Sequence, residues 1–411
     1  MPPEASFCAE SGVQRRPQGG VDPYQVVLCA LEEGLDDAAA AERFGVEAAE
    51  VARWRRSFLA GARRGVRPSD HRPGARRVYP DVAAAVGDTP LVRLNRVVEG
   101  LGCEVYAKLE FMNPMGSVKD RVARHLVAEA AKDGRLQPGD TIVEASSGNT
   151  AMGLAMMAVL GGYRCKIAVR DRTSREKLSA LRALGVELEL VDATLPPEHP
   201  ESYNRVVERM VRETPRSYFP DQHNNRENNA AHYATTGPEL LEQLEGQLDV
   251  LVAGVGTGGT ISGVARYLKE RIAGLRVVGV DPVGSIFTPY FRTGQVPRPG
   301  PYLLEGLGDE EPIECVEWEW IDEMLQVESG EAMRCARELA LQEAIFAGAG
   351  IRLLLNLVTV KDEKTKRAAD EYQNTPDTLS GRSRSRAILT AAVSRAFSSE
   401  TSSSPRSETS K

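Results

Sequence analysis

The alternation of apolar and polar positions changes along the chain, and the longest stretch of uniform character runs from residue 81 to residue 350. In this stretch, short continuous apolar runs are separated by stretches with an apolar residue at every third or fourth position. This predicts strands separated by amphipathic helices. The predicted strands are EVYAKLE, TIVEAS, YRCKIAV, VELELVDA, DVLVAGV and LRVVGVD. Continuous apolar strands alternating with helices are typical of an α/β domain built on a mostly parallel sheet.

A helical pattern occupies residues 21–66, where YQVVLCALEEG, LDDAAAAERFGV and EAAEVARWRRSFLAGA predict short helices. The small side chains of Ala40 and Ala41 allow close helix packing, Gly45 permits a tight turn, and Trp54 can anchor the third helix. The segment therefore resembles a helix-turn-helix unit.

A helix-turn-helix unit can bind DNA through its third helix, where Arg53, Arg55 and Arg56 would form a basic face. The same pattern also occurs in three-helix bundles that only pack or oligomerise. DNA binding through residues 21–66 is therefore possible, but packing or oligomerisation is the favoured interpretation.

The remaining segments lack a regular apolar pattern. Residues 1–20 are polar, rich in Gly and Pro, and expected to be disordered, and residues 67–80 are expected to form a Pro- and Arg-rich linker. Residues 351–411 are expected to form a divergent, largely disordered tail that begins with a possible strand or helix and ends in a Ser/Arg-rich stretch.

Composition narrows the function classes. The net charge of −7 argues against a dedicated binder of nucleic acid or anionic membranes. Because no apolar run reaches the length of a membrane span and the N-terminus lacks a signal-peptide pattern, we expect a cytoplasmic protein. The six cysteines are scattered without a CxxC pair, which favours reduced thiols and predicts no metal site.

A glycine-rich turn follows the predicted strand DVLVAGV and leads into a helix, with Gly256, Thr257, Gly258, Gly259 and Thr260. Glycines allow the backbone to approach an anion closely, and free N–H groups at a helix start favour phosphate. The turn matches neither the dinucleotide nor the nucleoside-triphosphate motif. Taken alone, it could equally be a tight turn that binds nothing.

A second turn, EASSGNTAMG, supplies the hydroxyls of Ser146, Ser147 and Thr150, with Gly148 and Asn149 between them. Such a turn before a helix can hold a carboxylate, or it can simply cap the helix. A third stretch, GSVKDRV, places Lys119 between a strand and a helix. An enzyme that holds a phosphorylated aldehyde cofactor on a lysine and accepts an amino acid needs this combination.

The chain from about 81 to 346 resembles the β-family of pyridoxal-phosphate enzymes, especially bacterial cystathionine β-synthases and, less closely, cysteine synthases. The resemblance rests on stretches in the family's order: GDTPLVRLNRV, KLEFMNPMGSVKDRVA, EASSGNT, LPPEHPESY, DQHNNRENNAAHYATTGPEL, VAGVGTGGTISGVARYLKER, VGVDPVGSI and YLLEGLG. It implies fold type II, the tryptophan synthase β-like architecture, with two α/β subdomains on mostly parallel sheets. The catalytic domain would cover residues 81–350, and the protein would form a homodimer.

The resemblance also implies roles for individual residues. Lys119 would carry pyridoxal 5'-phosphate as a Schiff base and move the α-proton, residues 256–260 would bind the cofactor phosphate, and Asn149 would bind the ring oxygen. Gly306 would lie near the substrate amine. The substrate carboxylate would be held by Ser146, Ser147, Gly148, Thr150 and Gln222. The implied reaction is β-replacement, in which serine and homocysteine give cystathionine or, in a cysteine synthase, O-acetylserine and sulfide give cysteine.

Two departures from the family pattern keep other functions open. Ala151 occupies a position that is usually glycine and could narrow the pocket if it needed positive φ. After EAIFAG, the family's pyridine-contacting serine is missing from the run that contains Gly348, Ala349 and Gly350. An altered gene end and a diverged but working end both fit this observation. The alternatives are an inactive scaffold and a DNA-binding regulator with an enzyme-like domain.

Overall fold

The computed structural model describes residues 23–56, 78–99, 101, 103–146, 148–195, 199–346 and 356–360. The chain divides into two compact units, Met1–Val78 and Tyr79–Lys411. No helix within the described ranges has both the length and the apolar character required to span a membrane.

The described part of the first unit contains the helices α1 (Pro23–Glu32), α2 (Asp37–Phe44) and α3 (48–56). Helix α2 begins where the Asp36 side chain accepts a hydrogen bond from Ala39 N at 2.7 Å, and it ends at Gly45, whose φ is 67°. Trp54 packs against the buried core of Val26, Ala30, Ala40, Ala41 and Val51. The unit thus has the helices and the tight glycine turn that its apolar pattern predicts.

The predicted basic face of α3 is smaller than expected. Arg53 and Arg56 are exposed, but Arg55 Nη2 donates to Leu35 O at 2.7 Å, and Arg55 Nε lies 2.9 Å from Asp37 Oδ1. The prediction that Arg55 belongs to an exposed recognition face is therefore wrong, because its guanidinium is used inside the unit.

The second unit contains two sheets. The strands are β1 (Leu91–Leu94), β2 (Glu104–Lys108), β3 (Thr141–Ala145), β4 (Arg164–Arg170), β5 (Glu187–Val191), β6 (Ser217–Tyr218), β7 (Val250–Gly254), β8 (Arg276–Pro282), β9 (Glu323–Val327) and β10 (Asn356–Val360). The helices are α4 (Lys119–Lys132), α5 (Asn149–Gly161), α6 (Arg175–Ala183), α7 (Tyr203–Glu213), α8 (Glu227–Ala234), α9 (Thr236–Gln243), α10 (Gly259–Lys269), α11 (Phe287–Thr293) and α12 (Ser329–Glu343). The strands predicted from the sequence are all present, as β2, β3, β4, β5, β7 and β8, and the α/β class is confirmed.

The smaller sheet has the order β5-β4-β3-β6 and is parallel throughout. Its inner strands are apolar on both faces because helices cover both faces. Ile142 and Ile167 pack with Leu154 of α5 on one side, whereas Val143 packs with Val206 of α7 on the other. This double burial fixes the carboxyl end of β3, where the serine-rich turn begins.

The larger sheet has the order β1-β2-β10-β7-β8-β9, and its strands β7, β8 and β9 are parallel. Strand β10 pairs antiparallel with both β2 and β7. The prediction that the domain ends at residue 350 leaves out β10 (Asn356–Val360), which belongs to the larger sheet. The boundary depends on tertiary pairing, because without β10 the facing edges of β2 and β7 would have no strand between them.

A buried ionic network joins the start of α4 to β2 and α9. Arg121 Nε donates to Glu110 Oε2 at 2.7 Å, and Arg121 Nη1 donates to Glu239 Oε1 at 2.6 Å. Lys108 Nζ, which is fully buried, donates to Glu239 Oε2 at 2.6 Å and to Thr89 O at 2.7 Å. Removing one charge from such a network leaves its partner buried and unpaired, which costs about 3–5 kcal/mol.

We expect acid to weaken this unit through Glu239. Burial alone would raise the pKa of its carboxyl, but Arg121 and then Lys108 outweigh burial and lower the pKa from 4.5 to about 2. The unfolded chain therefore takes up this proton first, so the stabilisation is complete above pH 4.5 and is lost as the pH falls towards 2. The shift corresponds to roughly 3 kcal/mol of unfolding free energy. Urea unfolding measured between about pH 6 and about pH 3 tests this.

Glu239→Gln removes the titrating group, so this variant should be less stable at neutral pH and should lose less stability on acidification than the wild type. Glu310→Gln, at an exposed carboxylate, serves as the control and should follow the wild type. Parallel loss of stability in wild type and Glu239→Gln would contradict the prediction.

Candidate active site

Lys119 is the first residue of α4, and its side chain points to the glycine-rich turn. The turn before it has Gly116 at φ 82°, and Ser117 Oγ accepts a hydrogen bond from Lys119 N at 3.1 Å. Lys119 Nζ donates to Thr257 Oγ1 at 2.7 Å. The lysine is therefore partly buried and engaged, although a lysine at a helix start is usually solvated.

The environment of Lys119 makes its amine a usable base. Burial lowers the pKa of this amine from 10.5 to about 8, while the nearby Cys315 and Glu144 groups act in the opposite direction. A fraction of the amine is therefore unprotonated near neutral pH, as proton transfer or attack on a carbonyl requires.

The glycine-rich turn connects the end of β7 at Gly254 to the start of α10 at Gly259. A Cβ atom at position 256 would lie 2.2 Å from Gly306 O, and one at position 259 would lie 2.0 Å from Asn228 Oδ1. Neither position has room for a side chain, so both glycines are required by close packing. The first N–H groups of α10 lie in this turn without partners inside the helix, which is the arrangement that binds phosphate.

The two threonine hydroxyls of this turn have partners on α8. Asn228 Nδ2 donates to Thr257 Oγ1 at 3.0 Å, and His232 Nε2 lies 3.1 Å from Thr260 Oγ1. Neither His232 nor Asn228 was singled out as a candidate site residue from the sequence. No motif signals either contact, because α8 lies far from the turn in sequence.

The serine-rich turn lies between β3 and α5. Ser146 Oγ accepts hydrogen bonds from Gly148 N at 3.4 Å and Ala151 N at 3.3 Å, and Thr150 Oγ1 donates to Gln222 Oε1 at 2.5 Å. The predicted proximity of Gln222 to this turn is thus present in the structure. Ser147 lies outside the described residues.

Asn228 connects the two turns. Its Nδ2 atom donates to Gln222 O at 2.8 Å as well as to Thr257 Oγ1. The Asn228 amide therefore links the glycine-rich turn, which Lys119 contacts, to Gln222, which accepts a hydrogen bond from Thr150. The predicted phosphate and carboxylate sites consequently belong to one site.

Helix packing places the other predicted residues around this site. A Cβ atom at Gly153 of α5 would lie 3.1 Å from Lys119 O, so α5, which starts at Asn149, packs tightly against α4. Gly306, with φ +77°, is held against Gly256.

Ala151 fits its position without strain. It is buried within α5 and is not among the described non-glycine residues with positive φ. The expectation that it could narrow the pocket through a left-handed backbone is therefore wrong, because the position is helical. The missing serine concerns residues 347–350, which lie outside the described residues.

Burial shifts the pKa of three titratable groups near the site in the direction that favours their neutral forms. Burial raises the pKa of the Glu144 carboxyl, at the end of β3, to about 8 and that of the Cys315 thiol to about 12. Burial also lowers the pKa of His223. Glu144 is the first residue of the serine-rich stretch EASSGNTAMG and could have been noticed in the sequence, whereas no pattern marks Cys315. The raised pKa of Glu144 reduces the negative charge that this carboxyl would bring to a site that receives a carboxylate.

The family model for pyridoxal-phosphate-dependent enzymes matches residues 82–369. The chain belongs to this family. Pyridoxal phosphate is thus the cofactor, and the family resemblance recognised in the sequence is confirmed.

Several similar proteins share the name cystathionine β-synthase. Cystathionine β-synthase of Oryctolagus cuniculus is 42% identical over 274 residues, covering 66% of this chain and 50% of the relative. That of Apis mellifera is 40% identical over 290 residues, covering 70% and 57%. This chain thus spans about half the length of these relatives. The crystal structure of an O-acetylserine-dependent cystathionine β-synthase from Helicobacter pylori matches with a TM-score of 0.63 and 32% identity, covering 74% of this chain and 93% of that one.

The residues of the site fit pyridoxal phosphate. The cofactor needs an amine for its aldehyde and an anion site for its phosphate, and Lys119 Nζ lies 2.7 Å from a hydroxyl of the anion site. The crowded positions at Gly256 and Gly259 let the backbone N–H groups come close to a phosphate. In the described ranges, no three or more His, Cys, Asp or Glu side chains come together in a group that could hold a metal ion.

Proposed function

We propose that this protein catalyses β-replacement on L-serine, in which homocysteine displaces the β-hydroxyl to give cystathionine and water. The proposal rests on one observation: Asn228 hydrogen-bonds both to the glycine-rich turn, which Lys119 contacts, and to Gln222, the partner of Thr150, so that all these groups belong to a single site. That site offers an amine, a phosphate cradle and a carboxylate cradle together. The relatives named cystathionine β-synthase support the same reaction.

Bound pyridoxal phosphate supplies the electron sink that makes the α-proton of the amino acid acidic. Lys119 would hold the cofactor through its amine, and that amine, when free, would take the α-proton. Its lowered pKa of about 8 keeps enough of the amine unprotonated for this step. The protonated Lys119 would then transfer this proton to the β-hydroxyl, which leaves as water when the thiolate replaces it.

The serine-rich turn orients the substrate. Thr150 and Gln222, with Ser146, Ser147 and Gly148, would bind the substrate carboxylate at the start of α5, where unpaired helix N–H groups favour a negative charge. Asn149, the first residue of α5, would bind the ring oxygen of the cofactor. Gly306 would leave room for the substrate amine.

The deciding experiment is product analysis by mass spectrometry after incubation with pyridoxal phosphate, L-serine and homocysteine. Cystathionine formation supports the proposal. A protein that binds the cofactor but forms no cystathionine from any donor would exclude the proposed activity, and if it also formed no cysteine from sulfide, the inactive-scaffold hypothesis would be left.

O-acetylserine is the second candidate donor, because the Helicobacter pylori structure is of an enzyme described as dependent on it. Serine and O-acetylserine should each be tested with homocysteine and with sulfide, and the ratios of kcat/KM identify the donor and the nucleophile. Preference for O-acetylserine with sulfide would favour a cysteine synthase.

Replacing Thr150 by valine should weaken serine binding. Valine keeps the shape but removes the hydroxyl, and a hydrogen bond to a charged group contributes about 1.5–3 kcal/mol. We expect KM for serine to rise by roughly 10- to 100-fold, with unchanged cofactor absorbance. Thr150→Ser, which keeps the hydroxyl, should stay near wild type. An unchanged KM in Thr150→Val would contradict the carboxylate role.

Homodimer formation, which the resemblance implies, and cytoplasmic location, which is expected from the sequence pattern, both remain predictions. Light scattering of the purified protein tests the first. DNA binding by the first unit was the less favoured interpretation of its sequence, and the loss of Arg55 from the exposed face weakens it further. Salt-dependent binding of duplex DNA by the full chain would support the DNA-binding hypothesis.

A further inference from the structure

His232 lies inside the protein with both ring nitrogens engaged. Its side chain is fully buried in α8, with Nδ1 2.9 Å from Thr236 Oγ1 and Nε2 3.1 Å from Thr260 Oγ1. Thr236, in α9, is also fully buried, whereas Thr260 lies in the phosphate turn at the start of α10. The imidazole therefore connects an interior hydroxyl to a hydroxyl of the cofactor site.

The ring is neutral. Burial lowers its pKa well below 6.5, and the positive charges of Arg121 and Lys119 lower it further. A neutral imidazole has one donor and one acceptor nitrogen, so only two arrangements satisfy both threonines.

In one arrangement, Thr236 donates to Nδ1 and the Nε2–H group donates to Thr260 Oγ1. The Thr260 proton is then directed away from the ring and towards the turn. In the other arrangement, Thr260 donates its proton to Nε2 and presents only lone pairs to the turn. A phosphate offers only acceptors, so an anion bound there favours the first arrangement.

We propose that His232 is a positioning residue that, as the Nε2–H tautomer fixed by Thr236, makes the Thr260 hydroxyl donate to the cofactor phosphate. Asn228 lies one helical turn earlier on α8 and donates to the other hydroxyl of the turn, that of Thr257. One face of α8 thus orients both hydroxyls. This inference rests on the proposed function and adds to it a set of residues that support the cofactor site from behind.

Two variants separate the two ring nitrogens. Asparagine places its amide near the position of Nδ1 only, whereas glutamine reaches that of Nε2 and can donate to Thr260 in its place. We expect His232→Asn to raise the dissociation constant of pyridoxal phosphate by roughly 10-fold or more and to move the ³¹P resonance of the bound cofactor. His232→Gln should bind the cofactor within about threefold of wild type.

A double-mutant cycle supplies the structural control. In a Thr260→Val background, His232→Asn should have little further effect on cofactor binding, because the group it orients is gone. The ¹⁵N spectrum of the wild-type holoenzyme should show a protonated Nε2 and an unprotonated Nδ1 for His232. Wild-type cofactor affinity in His232→Asn, equal losses in the Asn and Gln variants, or a protonated Nδ1 would each overturn the proposal.

These measurements do not depend on turnover. If the wild type binds pyridoxal phosphate but makes no cystathionine, the proposed reaction fails, while the effects on affinity, ³¹P shift and tautomer still decide the role of His232.

Discussion

Replacing Lys119 by alanine is expected to reduce cystathionine formation by roughly 1,000-fold or more, because both the attachment of the cofactor and the proton transfer are lost. The Lys119 amine is the group that the structure places 2.7 Å from the phosphate-turn hydroxyl, with its pKa lowered to about 8. Steady-state kinetics with serine and homocysteine measure the loss. A visible absorption spectrum before and after adding serine should show that the band of the attached cofactor is missing from the variant.

Lys119→Arg is the matched control for charge. The guanidinium keeps a cation in the site but stays protonated at any usable pH, so it can neither attach the cofactor nor accept the α-proton. We expect it to be as inactive as the alanine variant while keeping a similar unfolding midpoint. Activity in Lys119→Arg within about tenfold of wild type would show that the lysine acts only as a charge, and the assignment would be wrong.

The second large effect is expected from Gly259→Ala. The added methyl would lie 2.0 Å from Asn228 Oδ1, so Asn228 would have to move. Its hydrogen bonds to Thr257 Oγ1 and Gln222 O would then be lost or lengthened, which disturbs the phosphate turn and the carboxylate turn together. Overpacking and two lost hydrogen bonds together predict a fall in pyridoxal-phosphate affinity of at least about 100-fold. Titration of the apoprotein with the cofactor, followed by absorbance, measures it.

Gly330→Ala provides the control, since this position also starts a helix but a Cβ atom there would meet only the end of the Arg334 side chain at 3.7 Å. It should bind the cofactor normally. If Gly259→Ala also binds normally with an unchanged unfolding midpoint, then the turn does not depend on this close approach, and the phosphate site must lie elsewhere.

The fold class could be predicted because its signals are local. A run such as DVLVAGV is buried on both faces as β7, and such runs are apolar wherever helices cover both sides of a sheet. Strand β10 shows the limit. Its stretch is compatible with a strand or a helix, and only the edges of β2 and β7 select the strand.

The candidate site could be predicted to the extent that its parts lie in short motifs. Lys119, the glycine-rich turn and the serine-rich turn each combine residue types with a local conformational reason, such as a helix start or a close backbone approach. Asn228 and His232 could not be predicted in this way, because an asparagine and a histidine on a helix have no local pattern that shows what they contact. Arg55 was assigned to the wrong environment for the same reason, since its partners Leu35 and Asp37 lie outside α3.

The sequence by itself determined the α/β class and the membership of a pyridoxal-phosphate enzyme family, and it predicted Lys119 as the reactive lysine. Each of these depends on apolar period, turn chemistry and the order of motifs along the chain. Only the tertiary structure decided that Lys119 meets Thr257, 138 positions away, and that Thr150 meets Gln222, 72 positions away. Tertiary contacts also lowered the pKa of Lys119 and placed α8 behind the phosphate turn. Burial and hydrogen bonding depend on which distant side chains the packed sheets and helices bring together, and no local pattern contains that information.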